Sequence, residues 1–126
     1  MSKIALITGA NSGLGKEIAI GLAKQDVRVI MVCRDQNRGT QAQEAIIRIS
    51  GSPAVDLLIA DLSSQVEIRN LAKSVSEMYP KIDILINNAG LVLKQRRLSI
   101  DGIEMTLATN YLGPLLLTHL LIDLLT

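Results

Sequence analysis

The sequence contains no tryptophan and no phenylalanine, and Tyr79 and Tyr111 are its only aromatic residues of the Phe, Trp and Tyr set. A hydrophobic content of 48% must therefore be met by aliphatic side chains. Nucleic-acid bases would find almost no rings on which to stack. Cysteine occurs once, at Cys33, which excludes an internal disulfide and suits a reducing compartment. Thirteen basic residues against twelve acidic ones leave a net charge of +1, so there is no electrostatic case for DNA or for an anionic membrane surface. No long apolar run is present. The stretch from Leu112 to Leu125 is interrupted by Gly113, Pro114, Thr118, His119 and Asp123, too short and too polar to span a bilayer. Met1-Ser2-Lys3 leads directly into an apolar run, with no signal-peptide architecture. A soluble cytoplasmic protein with one domain over residues 1–126 is the expectation.

What is present is a rhythm. Short apolar runs at residues 4–8, 27–32, 55–60 and 82–87 read as strands, and longer patterns at about 13–24, 36–50 and 64–78 read as helices. The strands show little polar alternation, as expected when both faces of a sheet are covered. This β-α-β-α-β-α-β order predicts an α/β fold with a parallel sheet and right-handed crossovers. Ser50-Gly51-Ser52-Pro53 reads as a loop between elements. Residues 101–125 read as one long helix, preceded by the polar loop Lys94-Gln95-Arg96-Arg97, whose basic residues read as solvated, with a substrate-side role as the alternative.

The first strand runs into Thr8-Gly9-Ala10-Asn11-Ser12-Gly13-Leu14-Gly15. A buried strand followed by three glycines and a helix is how a backbone approaches a phosphate. Gly9 takes the tight turn, Gly13 lets the main chain come close to an anion, and Gly15 lets helix and sheet pack closely. Unpaired N–H groups and the positive end of the helix dipole then face the ligand. A Walker loop is excluded, because the residue five before Gly15 is Ala10 and Lys16 is followed by Glu17. The spacing G-x-x-x-G-x-G also departs from G-x-G-x-x-G. Glycines serving an ordinary strand–helix turn are the alternative.

In doubly wound sheets, ligands sit at the carboxyl ends of the strands. The second strand ends in Cys33-Arg34-Asp35. A carboxylate at its end would bind the ribose hydroxyls of NAD, but that position holds Cys33, and the guanidinium of Arg34 suits a 2′-phosphate. NADP is favoured over NAD. Asp35 is the counter-argument, unless it caps the following helix. Asp61, after the third strand, can accept from an adenine amino group while Leu62 covers the ring; capping of the next helix by Asp61 or Ser63 is the alternative. The fourth strand ends in Asn87-Asn88-Ala89-Gly90. Amides there satisfy loop backbone groups, and Ala89-Gly90 leaves no side chain to obstruct a flat cofactor.

With these residues the chain resembles the short-chain dehydrogenase/reductase family: Thr8-Gly9-x-x-x-Gly13-x-Gly15, Asp61, Asn87-Asn88-Ala89-Gly90 and Asn110 match in order and at family-like spacing. The run Cys33-Arg34-Asp35 and the segment from Asp101-Gly102-Ile103-Glu104 to Asn110-Tyr111-Leu112-Gly113 look like its retinol-dehydrogenase and protochlorophyllide-reductase-like branch. The resemblance implies a Rossmann-type doubly wound parallel sheet and an NADP-linked reaction on a small apolar carbonyl or alcohol. It gives cofactor-binding roles to Gly9, Asn11, Ser12, Gly13, Leu14, Gly15, Arg34, Asp61, Leu62, Asn88, Ala89 and Gly90. It gives Asn110 a catalytic role, its main chain holding a relay water. Pro114, four residues later, has no N–H for the Asn110 carbonyl, so a kink is predicted there; packing alone is the other explanation. His119, among leucines, reads as a packed or partly exposed helix residue. No metal site is expected.

The resemblance also implies a Tyr with a Lys four residues on, and a Ser. Tyr111 is followed at that spacing by Leu115, and Tyr79 by Asp83. The chain thus reads as the amino-terminal part of the family's domain, truncated to about four strands with flanking helices and inactive alone. The fourth strand is expected at an open sheet edge, and leucines on nearly all faces of the final helix invite association, a possible homo-oligomer. A non-catalytic NADP-binding or dimerisation module, or an inactive truncated product, remain as alternatives.

Overall fold

A computed structural model describes residues 2–90 and 95–125. Four parallel strands, β1 (Ile4–Thr8), β2 (Arg28–Cys33), β3 (Val55–Ile59) and β4 (Ile84–Ile86), form a sheet in the order β3-β2-β1-β4. The order reverses between β1 and β4, which opens a crevice at that switch point. β1 pairs with β2 from Ile4↔Arg28 to Thr8↔Val32 and with β4 from Ala5↔Ile84 to Ile7↔Ile86.

Every residue of β1 is buried, which explains the unbroken apolar run. Its residues alternate between two cores. Leu6, with Ile30 and Val32 of β2, packs on the side of Ile68, Leu71, Val75, Leu117 and Leu121. Ile7, with Val29, Met31 and Cys33, packs on the side of Ala19, Ile20, Ala42 and Ile46. Helices α1 (Gly13–Lys24) and α2 (Gln36–Ser50) thus cover one face. Helix α3 (Gln65–Met78) and the carboxyl-terminal helix cover the other. The predicted doubly wound arrangement is present, and the bounds of these four strands and three helices differ from expectation by no more than one residue at any end except at the start of β4, which begins two residues late at Ile84 and stops at Ile86. β4 is the outermost strand on its side, with all three residues half-buried.

The segment read as one helix over residues 101–125 is not one helix. Ser99 to Ile103 forms a tight turn in which Gly102 has φ 75°. Two short pieces follow, α4 (Met105–Leu107) and a π-helical turn (Ala108–Leu112), then α5 (Gly113–Leu121). The cause is local. Pro114 cannot donate to the carbonyl four residues back, and the N–H of Gly113 reaches the Ala108 carbonyl five residues away. The distortion predicted at Pro114 therefore takes the form of a wide turn upstream of it. A side chain at Gly113 would collide with the Leu62 carbonyl, so glycine seats this junction against the end of β3. The leucines are not equivalent either: Leu117 and Leu121 are buried, whereas Leu115 and Ile122 are exposed. Leu125 returns to bridge Ile82 beside β4. Gln95, Arg96 and Arg97 are exposed, as expected of a solvated loop, and Lys94 lies outside the described residues. Among the described residues no helix is long and apolar enough to cross a membrane.

Candidate functional site: a crevice at the strand ends

The carboxyl ends of all four strands surround a crevice of about 440 Å³. Its floor is set by the turn after β1. Gly9 has φ 64°, a left-handed conformation that glycine adopts without strain, and a Cβ there would lie 2.8 Å from the Ala89 Cα. The two loops that touch at this point are tied by Thr8. Its buried hydroxyl accepts from the N–H groups of Asn88 and Ala89, each at 3.0 Å. The Asn88 side chain closes the circuit by donating to the Gly9 carbonyl at 3.1 Å. Gly15 fits the start of α1 beneath this clamp, since a Cβ would fall 2.5 Å from the Gly9 oxygen and collide with the Asn88 amide.

The amino terminus of α1 differs from those of α2 and α3. Asp35 caps α2 by accepting from the Arg38 N–H at 3.0 Å, and Ser64 caps α3 by accepting from Glu67 at 3.3 Å. Ser12 makes no such bond at α1, and no acidic residue stands in that helix's first turn. Gly13 has φ 56° with open space where a Cβ would be. The start of α1 is therefore left to whatever approaches it.

Of the sequence-predicted residues, Gly9, Asn11, Ser12, Arg34, Asp61, Leu62, Asn88, Ala89 and Gly90 line the crevice. Gly13, Leu14 and Gly15 do not, but shape α1 beside it. Leu14 projects outward, 70% exposed. Asn110 is likewise off the lining; its amide stands opposite Gly90, with Oδ1 3.4 Å from where a Cβ would sit. Asp35, the competing NAD carboxylate, is the α2 cap, and this bond from the Arg38 backbone holds its carboxyl below the usual range. Asp61 does not cap α3, which Ser64 does. The Asp61 Oδ1 accepts from the N–H and hydroxyl of Ser63 at 2.9 and 2.7 Å, while the residue lines the crevice. Cys33 is buried, and desolvation pushes its thiol up to about 11, although the Ala10 and Asn11 N–H groups pull the other way. The side chain at the end of β2 is thus a neutral thiol, while the carboxylate of Asp35, on the other side of Arg34, also lines the crevice. His119 is exposed.

Four lining residues were not singled out from sequence: the apolar Val32 and Ala60 at the strand ends, and the polar Arg38 and Thr109. Arg38, in the first turn of α2, also lines the crevice; Arg34 lies before the Asp35 cap, so no helical spacing links the two. Thr109 precedes Asn110, and nothing in its sequence context marks it. Among the described residues neither guanidinium makes an ion pair, and no group of His, Cys, Asp and Glu could hold a metal ion.

A family model described as short chain dehydrogenase matches residues 3–126. The chain belongs to this family. Mouse retinol dehydrogenase 11 is 40% identical over 121 residues, which are 96% of this chain and 38% of that protein. Among solved structures, the L-sorbose reductase of Gluconobacter frateurii, complexed with NADPH and L-sorbose, superposes with a TM-score of 0.80 at 25% identity, covering 97% of this chain and 47% of the reductase. The RhlG–NADP complex of Pseudomonas aeruginosa gives 0.80 at 31% identity, covering 97% and 46%. The chain thus spans less than half the length of these relatives and corresponds to their amino-terminal part.

A nicotinamide dinucleotide, which the family implies, fits the residues present on three counts. The uncapped start of α1 suits a pyrophosphate, the guanidiniums of Arg34 and Arg38, both lining residues, suit a further phosphate, and the buried Thr109 hydroxyl, without a partner among the described residues, suits a polar ligand.

Proposed function

We propose that this chain is the cofactor-binding, amino-terminal part of an NADP-dependent oxidoreductase acting on a small apolar carbonyl or alcohol. The observation that carries the reading is the crevice itself: the uncapped α1 terminus, with Arg34 and Arg38 across the strand ends, in a member of this family. The pyrophosphate lies over Asn11, Ser12 and the start of α1. Arg34 takes the 2′-phosphate, and Cys33 offers no carboxylate to repel it. Asp61 and Leu62 hold the adenine, and the Asn88–Gly90 loop leaves room for the rest. When bound, the nicotinamide supplies or accepts the hydride. The main chain of Asn110, on the π-helical turn opposite Gly90, holds a relay water.

Transfer to a carbonyl also requires a proton donor. Neither Tyr111 nor Tyr79 has a lysine four residues on, so residues 1–126 bind without turning over. In a steady-state assay with NADPH and aliphatic or aromatic aldehydes, the purified protein should show no turnover above background, while Arg34→Asp should move cofactor preference toward NAD. Robust turnover overturns the incompetence, and unchanged affinities overturn the role of Arg34. A second reading, a module that associates through its last helix, is favoured by the exposed Tyr111, Leu115 and Ile122; sedimentation with and without NADP decides it.

A further inference from the structure

Thr109 carries the only buried side-chain nitrogen or oxygen without a hydrogen-bond partner among the described residues. Three other helical hydroxyls satisfy themselves locally. Thr40 donates to the Gln36 carbonyl at 2.8 Å, Ser76 to Ala72 at 2.9 Å and Thr118 to Pro114 at 2.8 Å, each four residues back. Thr109 does not, because it sits in the π-helical turn, where the register is widened. The residue is 9% exposed, and it lines the crevice. The flanking residues fix its position. Gly113 is seated on the Leu62 carbonyl at the end of β3, and Asn110 stands against Gly90 after β4. Thr109 directly precedes Asn110 and stands about one turn before Gly113, and it lines the crevice together with Asp61, Leu62 and Gly90.

A buried hydroxyl with no partner is costly, and such groups are rare enough to ask for a reason. We infer that the Thr109 hydroxyl is a cofactor-positioning group that hydrogen-bonds the adenosine half of the bound dinucleotide. This rests on the dinucleotide reading above. The widened turn serves it by turning the hydroxyl away from its own helix and toward the ligand.

The test is calorimetric titration of wild type, Thr109→Val and Thr109→Ser with adenosine 2′,5′-bisphosphate and with nicotinamide mononucleotide, together with ligand-free melting curves. Val keeps the shape and removes the hydroxyl; Ser keeps the hydroxyl. The expected result is that Thr109→Val binds the bisphosphate about 2- to 12-fold more weakly, the range for one neutral hydrogen bond. Thr109→Ser should bind as wild type does, the mononucleotide should not discriminate, and ligand-free Thr109→Val should melt no lower than wild type. Equal bisphosphate affinity of wild type and Thr109→Val overturns the inference, and so does a lower ligand-free melting temperature, which would reveal an internal partner. Failure of wild type itself to bind the bisphosphate or NADPH overturns the dinucleotide reading, and this inference with it.

Discussion

Replacing Thr8 by Val removes one oxygen and changes almost nothing else in shape, so its effect reports directly on the clamp between the β1 and β4 loops. The hydroxyl accepts two N–H groups, from Asn88 and Ala89, both at 3.0 Å. Its own donor contact, to the Ile86 carbonyl, is long at 3.5 Å, so the acceptor role dominates. A buried donor left without a partner costs about 1–3 kcal/mol. Asn88 and Ala89 are half-buried rather than sealed, so the lower part of that range applies to each, and together they come to about 2–3 kcal/mol. Against a total stability of roughly 5–15 kcal/mol for a domain, this is a large fraction. A chain of 126 residues should then lose about 6–15 °C in melting temperature. Urea unfolding followed by far-ultraviolet circular dichroism measures the difference. Thr8→Ser keeps the oxygen and should recover most of the loss. Thr8→Val within about 0.5 kcal/mol of wild type, the usual scatter of neutral changes, would refute the clamp.

Two glycines of α1 should respond to alanine with opposite signs. Gly15→Ala places a methyl against the Gly9 carbonyl and should destabilise by roughly 1–3 kcal/mol, whereas Gly21→Ala meets nothing within 4 Å and should stabilise by about 0.5–1 kcal/mol; thermal melts compare them. The Cys33 thiol, raised by burial to about 11 from 9.0, binds its proton more tightly when folded. Its stabilisation is therefore complete below pH 9 and is lost as pH rises toward 11, and Cys33→Ala should flatten that decline in chemical unfolding. Asp35, whose carboxyl is held low by the Arg38 N–H, acts in the opposite sense. Its contribution is present above the ordinary carboxylate range and lost as pH falls through it, so Asp35→Asn, which still caps, should reduce the acid dependence without melting α2 at neutral pH.

The parts of the fold that were legible in sequence are those where one local rule operates alone. β1 and β2 are buried on both faces and read as unbroken apolar runs. α2 and α3 begin at the cap residues Asp35 and Ser64. The final segment was not legible for the converse reason. Leucine on nearly every face removes the periodicity that would mark a boundary, and although Pro114 marks the distortion locally, its seat, Gly113 against the Leu62 carbonyl, is a contact between residues far apart in sequence. The site divides in the same way. Gly9, Arg34, Asp61 and Asn88 stand at strand ends and could be found by counting. Leu14 and Asn110 are off the crevice lining because the helix and the wide turn orient them elsewhere. Thr8 acts through tertiary neighbours, the Asn88 and Ala89 N–H groups, and no spacing rule shows which neighbours those are.

The central claim is that the crevice holds NADP in preference to NAD, and the most direct measurement is the pair of dissociation constants for NADPH and NADH, obtained by fluorescence titration of the purified protein at fixed ionic strength. Charge-assisted hydrogen bonds from Arg34 to a 2′-phosphate, at about 1.5–3 kcal/mol, correspond to a preference of about 10- to 150-fold. Saturable binding with NADPH tighter by that order is the predicted result. No saturable binding of either nucleotide, or NADH bound as tightly as NADPH, would contradict it.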